Sequence, residues 1–184
     1  ATVWSLSANF AWIALSLLKK ELIIDGLILS ASAKYPQFLI TFQKLIIKID
    51  IFFNGRNKLN NIMERLTTKR FNSNFKPNRT EFDWVSDDED SVDNYIKDDL
   101  CGFKVTNGFW LDMVEGIEST FKDENYLRNN KNLRILLVAG SKDPVGDNGK
   151  GVERLYTFLK DHFKNLSLFT FGNGRHEIFS DLNK

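Results

Sequence analysis

Three side chains have the types and the chain order that nucleophilic acyl chemistry uses: Ser7, then Asp143, then His176. A serine hydroxyl becomes a competent nucleophile when an imidazole nitrogen takes its proton. A buried carboxylate on the other ring nitrogen fixes the tautomer and stabilises the imidazolium. Ser7 lies in V-W-S-L-S-A-N-F, between a short β-branched and aromatic run and an apolar stretch. At a turn of that kind, the N–H of Ala8 is the expected donor to a developing oxyanion. Each of the three also has a plainer explanation. Ser7 could cap a helix, the commoner task for a serine in that position. Asp143 with Pro144 could start a turn, and His176 could be a loop residue behind the tight turn that Gly172 and Gly174 suggest. Catalysis is favoured by the joint pattern, because each residue follows an expected strand, where open α/β sheets collect their ligands and reactive groups.

Those strands are read from short apolar runs. Thr2 to Trp4 precedes Ser7, and from Phe10 to Leu18 the nearly continuous apolar residues, closed by Lys19, Lys20 and Glu21, predict a buried helix. I-I-D-G-L-I-L-S-A-S, ending in small residues after Leu29, predicts a central strand covered on both faces, and Leu133 to Val138 repeats that shape before Asp143. Val152, Leu155, Leu159 and Phe163 form one face of a helix starting near Gly151, and Leu166 to Phe171 forms a last strand before His176. Strand, helix, strand in this order predicts an α/β fold with a parallel sheet.

The segment between the two central strands has a different character. Pro36 stands near a helix start, and Phe38, Phe42, Leu45, Ile49 and Phe52 follow at helical spacing. Gln43, Lys44, Lys48 and Asp50 interrupt this run too often for a transmembrane span. An Asn-rich and basic linker runs through Asn78. Ser86-Asp87-Asp88-Glu89 then reads as a capping box, with the acidic run Asp87 to Asp90 in the first helical turn. As a calcium loop that run fails, because it lacks glycine at the sixth position. Phe109, Trp110, Met113, Val114 and Ile117 predict another helix. Residues 36–125 are therefore expected to be a helical cap inserted into a core made of residues 1–35 and 126–184.

Composition narrows the alternatives. With 25 basic and 24 acidic residues and no basic stripe, the chain has no electrostatic footprint for nucleic acid. One cysteine cannot form an internal disulfide, and two histidines with one cysteine give little material for a zinc site. A reducing, cytoplasmic setting is the expectation.

The sequence also resembles a known family. G-S-K-D-P-V-G at 140–146, N-G-K-G-V at 148–152 and G-R-H-E at 174–177 look like the acid and histidine motifs of the monoacylglycerol lipase and lysophospholipase branch of the α/β-hydrolases, also called serine aminopeptidase S33-like or hydrolase-4. The stretch 83–103 resembles that branch's cap-to-core segment, and I-I-D-G-L-I-L-S-A-S resembles the strand after its nucleophile helix. The resemblance runs over nearly the whole chain and is strongest at 83–103 and 133–178. It implies Ser7 as nucleophile, Asp143 as acid, His176 as base and no cofactor. The implied substrate is a lipid-like carboxylic ester, such as a monoacylglycerol or lysophospholipid, with the apolar cap helix walling an acyl chain or resting peripherally on a membrane. A peptidase or thioesterase of the same fold, or a non-catalytic homologue, are the alternatives. The motif G-x-S-x-G falls on Ser5-Leu6-Ser7-Ala8-Asn9, with both glycines replaced. Family members carry several strands before the nucleophile that are absent here, so the sheet is expected to be incomplete and the chain to be part of a longer protein.

Overall fold

Short, almost wholly apolar runs become strands that are covered on both faces. In the computed structural model of the protein, which describes residues 2–4, 24–126 and 130–181, two such runs form the middle of a parallel sheet. Its strands β1 (Thr2–Trp4), β2 (Gly26–Ser30), β3 (Arg134–Gly140) and β4 (Asn165–Phe171) lie side by side in that order. Leu29 pairs with Val3 on one side and Leu137 on the other, and Gly140 pairs with Phe171. The class is α/β with an open parallel sheet, as the sequence predicts. Ser7, Ala8 and the expected helix from Phe10 to Leu18 lie outside the described residues.

Between β2 and β3 the chain is helical. Helix α1 (Gln37–Asn54) begins after Pro36 and ends at Gly55, whose φ of +87° suits a residue without a Cβ. Short helical turns follow from Asn61 to Phe75, then α2 (Glu89–Lys97) and α3 (Asn107–Thr120). After β3 come α4 (Lys150–Lys160), β4 and the short α5 (Ile178–Asp181). Among the described residues, no helix is long and apolar enough to cross a membrane.

Two apolar clusters result. In one, Leu27, Leu29, Ile135 and Leu137 of the sheet pack with Val152, Leu155 and Leu159 of α4 and with Phe163. In the other, Ile40 and Ile47 of α1 pack with Met63 and with Leu111, Val114 and Ile117 of α3. Phe121 packs against both. The second cluster is pinned by a buried amide pair: the Asn60 side chain caps Asn61–Glu64 by accepting from the Met63 N–H and donates to Asn107 Oδ1 at 2.5 Å. Buried amides paired in this way fix register, because either one alone would be left unsatisfied.

Two local expectations change. Helix α2 is capped by Asp88, not Ser86: the Asp88 carboxylate accepts from the Ser91 N–H and hydroxyl, and Ser86 Oγ accepts from the Asp88 N–H. Both residue types can cap, and the ionised carboxylate is the stronger acceptor. The aromatic stripe of α1 also faces outward. Phe38, Phe42, Leu45, Ile49 and Phe52 are 50–83% exposed, and the helix buries Ile40 and Ile47 against α3 instead. The Lys44–Glu118 ion pair at 2.6 Å, with Gln37 donating to the same carboxylate, holds α1 to α3 along the edge of that buried face.

This orientation predicts an asymmetric mutational response. Ile47→Ala removes a fully buried side chain and should cost about 2–5 kcal/mol in urea denaturation. Phe52→Ala, at 83% exposure, should stay within about 0.5 kcal/mol of wild type.

Candidate active site

Two loops leaving adjacent strands are laced together at their bases. After β3, the Ser141 N–H donates to the Phe171 carbonyl and the Lys142 N–H to the Gly174 carbonyl, each at 2.9 Å. Ser141 Oγ accepts from the Asn173 N–H at 2.9 Å. Gly140 allows this contact, since a Cβ there would lie 2.2 Å from the Gly174 carbonyl oxygen and 2.3 Å from that of Arg175. The turn that the glycines suggest is made by Asn173, whose φ is +65°, the non-glycine type that best tolerates left-handed backbone. Gly174 supplies the close approach to Gly140.

The lacing brings Asp143 and His176 together. Asp143 Oδ1 lies 3.1 Å from His176 Nδ1 and also accepts from the Val145 N–H at 2.9 Å. Both residues are buried, at 1% and 7% exposure, which removes most competition from water. Burial pulls the imidazole pKa down, but the charge of Asp143 and its hydrogen bond outweigh that and hold it above the ordinary 6.5. A carboxylate on Nδ1 keeps the neutral ring's proton there and leaves Nε2 as the basic nitrogen. Trp84 packs on the imidazole with ring centroids 5.5 Å apart.

Beside His176 is a cavity of about 250 Å³, walled chiefly by Ala31 and Ala33 after β2, by Trp84, and by Trp110, Met113 and Ile117 of α3. From α1 only Gln43 reaches it, so the exposed aromatic stripe is not its wall. Tyr35 also lines it and donates to the Val145 carbonyl at 3.0 Å. Burial and then the Asp143 charge push its phenol well above the ordinary range, so it remains a neutral donor. Among the described residues, none that lines the cavity carries a carboxylate, and no group of three His, Cys, Asp or Glu could hold a metal ion.

Several contributors were not singled out in the sequence. Arg175 donates from one nitrogen to the carbonyls of Asp83 and Ser86 and lies over the Phe75 ring, 4.4 Å from its centroid. The Glu177 N–H donates to the Val85 carbonyl at 2.7 Å. The loop carrying Trp84 is thereby fastened to both neighbours of His176. Asp83 stiffens that loop by accepting from the N–H groups of Arg79 and Thr80 and from the Thr80 hydroxyl. In sequence these residues stood out only as parts of the stretches 83–103 and 174–177 that carry the resemblance, and nothing there joins two segments about ninety residues apart. Ser7 and Ala8 lie outside the described residues, so of the expected three the structure brings together the acid and the base.

A family model described as serine aminopeptidase, S33 matches residues 10–183. No curated protein matches the chain. Among solved structures, a highly thermostable carboxyl esterase from Bacillus coagulans is 21% identical with a TM-score of 0.82, over 99% of this chain and 58% of that one. A monoacylglycerol lipase from Paleococcus ferrophilus is 20% identical with a TM-score of 0.65, over 99% and 61%. A soluble variant of monoglyceride lipase from Saccharomyces cerevisiae is 16% identical with a TM-score of 0.64, over 97% and 54%. At these identities the likeness is one of fold, and the chain spans a little over half the length of each.

The electrostatics predict a titration with a definite sign. By NMR, His176 should titrate above 6.5, and Asp143→Asn should lower that midpoint, because burial is then opposed only by the charge of Glu177. The stability contributed by the raised pKa is full below about pH 6.5 and is lost as pH rises through the folded-state value. An unchanged midpoint in Asp143→Asn would contradict the pairing.

Proposed function

The chain belongs to the serine aminopeptidase S33 family of α/β-hydrolases, and from that premise we propose that it carries the catalytic residues of a serine hydrolase acting on a lipid-like carboxylic ester, a monoacylglycerol or a lysophospholipid. The observation that supports this best is the buried Asp143–His176 pair at the ends of β3 and β4, beside an apolar cavity.

In the proposed route, His176 Nε2 takes the proton of Ser7 Oγ as that oxygen attacks the ester carbonyl, and Asp143 stabilises the imidazolium. The tetrahedral oxyanion receives the Ala8 N–H. Collapse expels the alcohol, which leaves with the proton from His176, and the acyl group stays on Ser7. Water, deprotonated by His176, then attacks the acyl-enzyme, and its collapse releases the carboxylic acid and restores the serine. No step calls for a metal or an organic cofactor.

The family includes peptidases, and the cavity lining favours the ester reading. An aminopeptidase needs a negative partner for the substrate's free ammonium, and the described residues that wall the cavity beside His176 are aromatic, aliphatic and neutral polar groups. The outward stripe of Phe38, Phe42, Leu45, Ile49 and Phe52 suits a helix lying on a lipid surface, where such substrates reside. This reading sets the enzyme in the cytoplasm, in peripheral contact with a membrane.

In the full-length protein, acyl esters should be hydrolysed and aminoacyl amides should not. Ser7→Ala should abolish turnover, and Asp143→Asn should lower kcat by roughly 10⁴-fold, the loss expected when the imidazole is held in the wrong tautomer. Below the raised pKa of His176, kcat/KM should fall with pH, because the protonated ring cannot accept the serine proton. Preferential amide hydrolysis, or full activity in Ser7→Ala, would contradict the proposal.

A further inference from the structure

The cavity beside His176 has a neighbour. A second and larger one, of about 630 Å³, lies across a wall that both share, and that wall consists of Thr68, Trp84 and Trp110. The two chambers differ in character. The inner one is small and mostly apolar. The outer one carries exposed apolar side chains, with Leu100 at 82%, Phe103 at 63% and Phe109 at 46% exposure, bordered by charges of both signs, Glu64, Glu81, Lys69, Lys76 and Lys104. It contains neither His176 nor Asp143.

Size decides what the inner chamber can accept. A dry cavity of about 150 Å³ takes one benzene ring, so by proportion about 250 Å³ takes roughly ten carbon atoms. It also falls below the range of roughly 300–1,000 Å³ typical of ligand sites. A longer chain entering past His176 must stop at the shared wall. The wall is held by packing: Trp84 lies against His176 and Phe71, with centroids at 5.5 and 5.6 Å, and neither indole N–H has a hydrogen-bond partner among the described residues.

Resting on the serine-hydrolase reading above, we propose that Trp110, with Trp84 and Thr68, sets the acyl-length specificity of the enzyme, limiting it to acyl groups of about ten carbons or fewer. Removing the Trp110 indole joins the two chambers, so that a longer chain continues onto Leu100, Phe103 and Phe109. Trp110 is the informative position because Trp84 also packs on the imidazole, where a change would disturb the base.

The test is a series of p-nitrophenyl esters from butanoyl to hexadecanoyl, with the full-length protein. Wild type should favour octanoyl over hexadecanoyl. Trp110→Ala should raise the hexadecanoyl-to-octanoyl ratio of kcat/KM by about tenfold or more, the effect of burying two or three further methylenes. Adding Leu100→Asp should cancel that gain by charging the outer floor. Thr68→Ala, a smaller change in the same wall, should shift the ratio in the same direction and serves if Trp110→Ala does not fold. A wild type that prefers hexadecanoyl, an active wall variant with an unchanged ratio, or a gain that survives Leu100→Asp would overturn the proposal. An enzyme that turns over esters with no length cut-off defeats this inference alone. A folded protein that turns over no ester defeats the serine-hydrolase reading with it.

Discussion

Where β3 ends, its backbone lies against the chain that leads to His176, with only hydrogen on the Gly140 Cα to fill the contact. A methyl group there would sit 2.2 Å from the Gly174 carbonyl oxygen and 2.3 Å from that of Arg175, closer than nonbonded carbon and oxygen can approach. Much of the site depends on this contact. It lets Lys142 donate to Gly174 and Ser141 receive the Asn173 N–H, so the acid loop and the base loop behave as one body. The 3.1 Å Asp143–His176 contact follows from backbone geometry, with no need for two flexible side chains to find each other. A carboxylate and imidazole held in this way are preorganised, since the cost of orienting them is met during folding.

The same loop fastens the helical region to the sheet. Arg175 reaches across to the carbonyls of Asp83 and Ser86, Glu177 pairs with Val85, and between these anchors Trp84 is pressed onto His176. A guanidinium suits this junction because the two hydrogens of one terminal nitrogen serve both carbonyls while its face lies on Phe75. One short segment, residues 174–177, therefore positions both His176 and the Trp84 wall of the cavity.

What the sequence conveyed follows from how local each signal is. Strands β2, β3 and β4 and helix α4 were legible because their apolar periodicity is set by their own burial. The placement of Asp143 after β3 and of His176 after β4 was legible because it is itself a local pattern. The cap of α2 was misassigned because Ser86 and Asp88 are both competent, and only the fold selects between them. The stripe of α1 was legible as a stripe, but periodicity gives a face and not its direction; Ile40 and Ile47, less conspicuous in sequence than five large apolar residues, are the pair that α3 covers. The roles of Arg175, Trp84 and Trp110 were not legible, because each depends on contacts between segments distant in the chain.

The account rests most heavily on Ser7 as the group whose proton His176 accepts, at an elbow where Ser5 and Asn9 replace the usual glycines. A fluorophosphonate, losing fluoride, phosphonylates a serine activated by a neighbouring base, so locating the adduct by peptide mass spectrometry in the folded, full-length protein addresses that point directly. The account predicts one adduct, on Ser7, lost in His176→Ala. An adduct on another residue, or none on a protein shown to be folded, would contradict it.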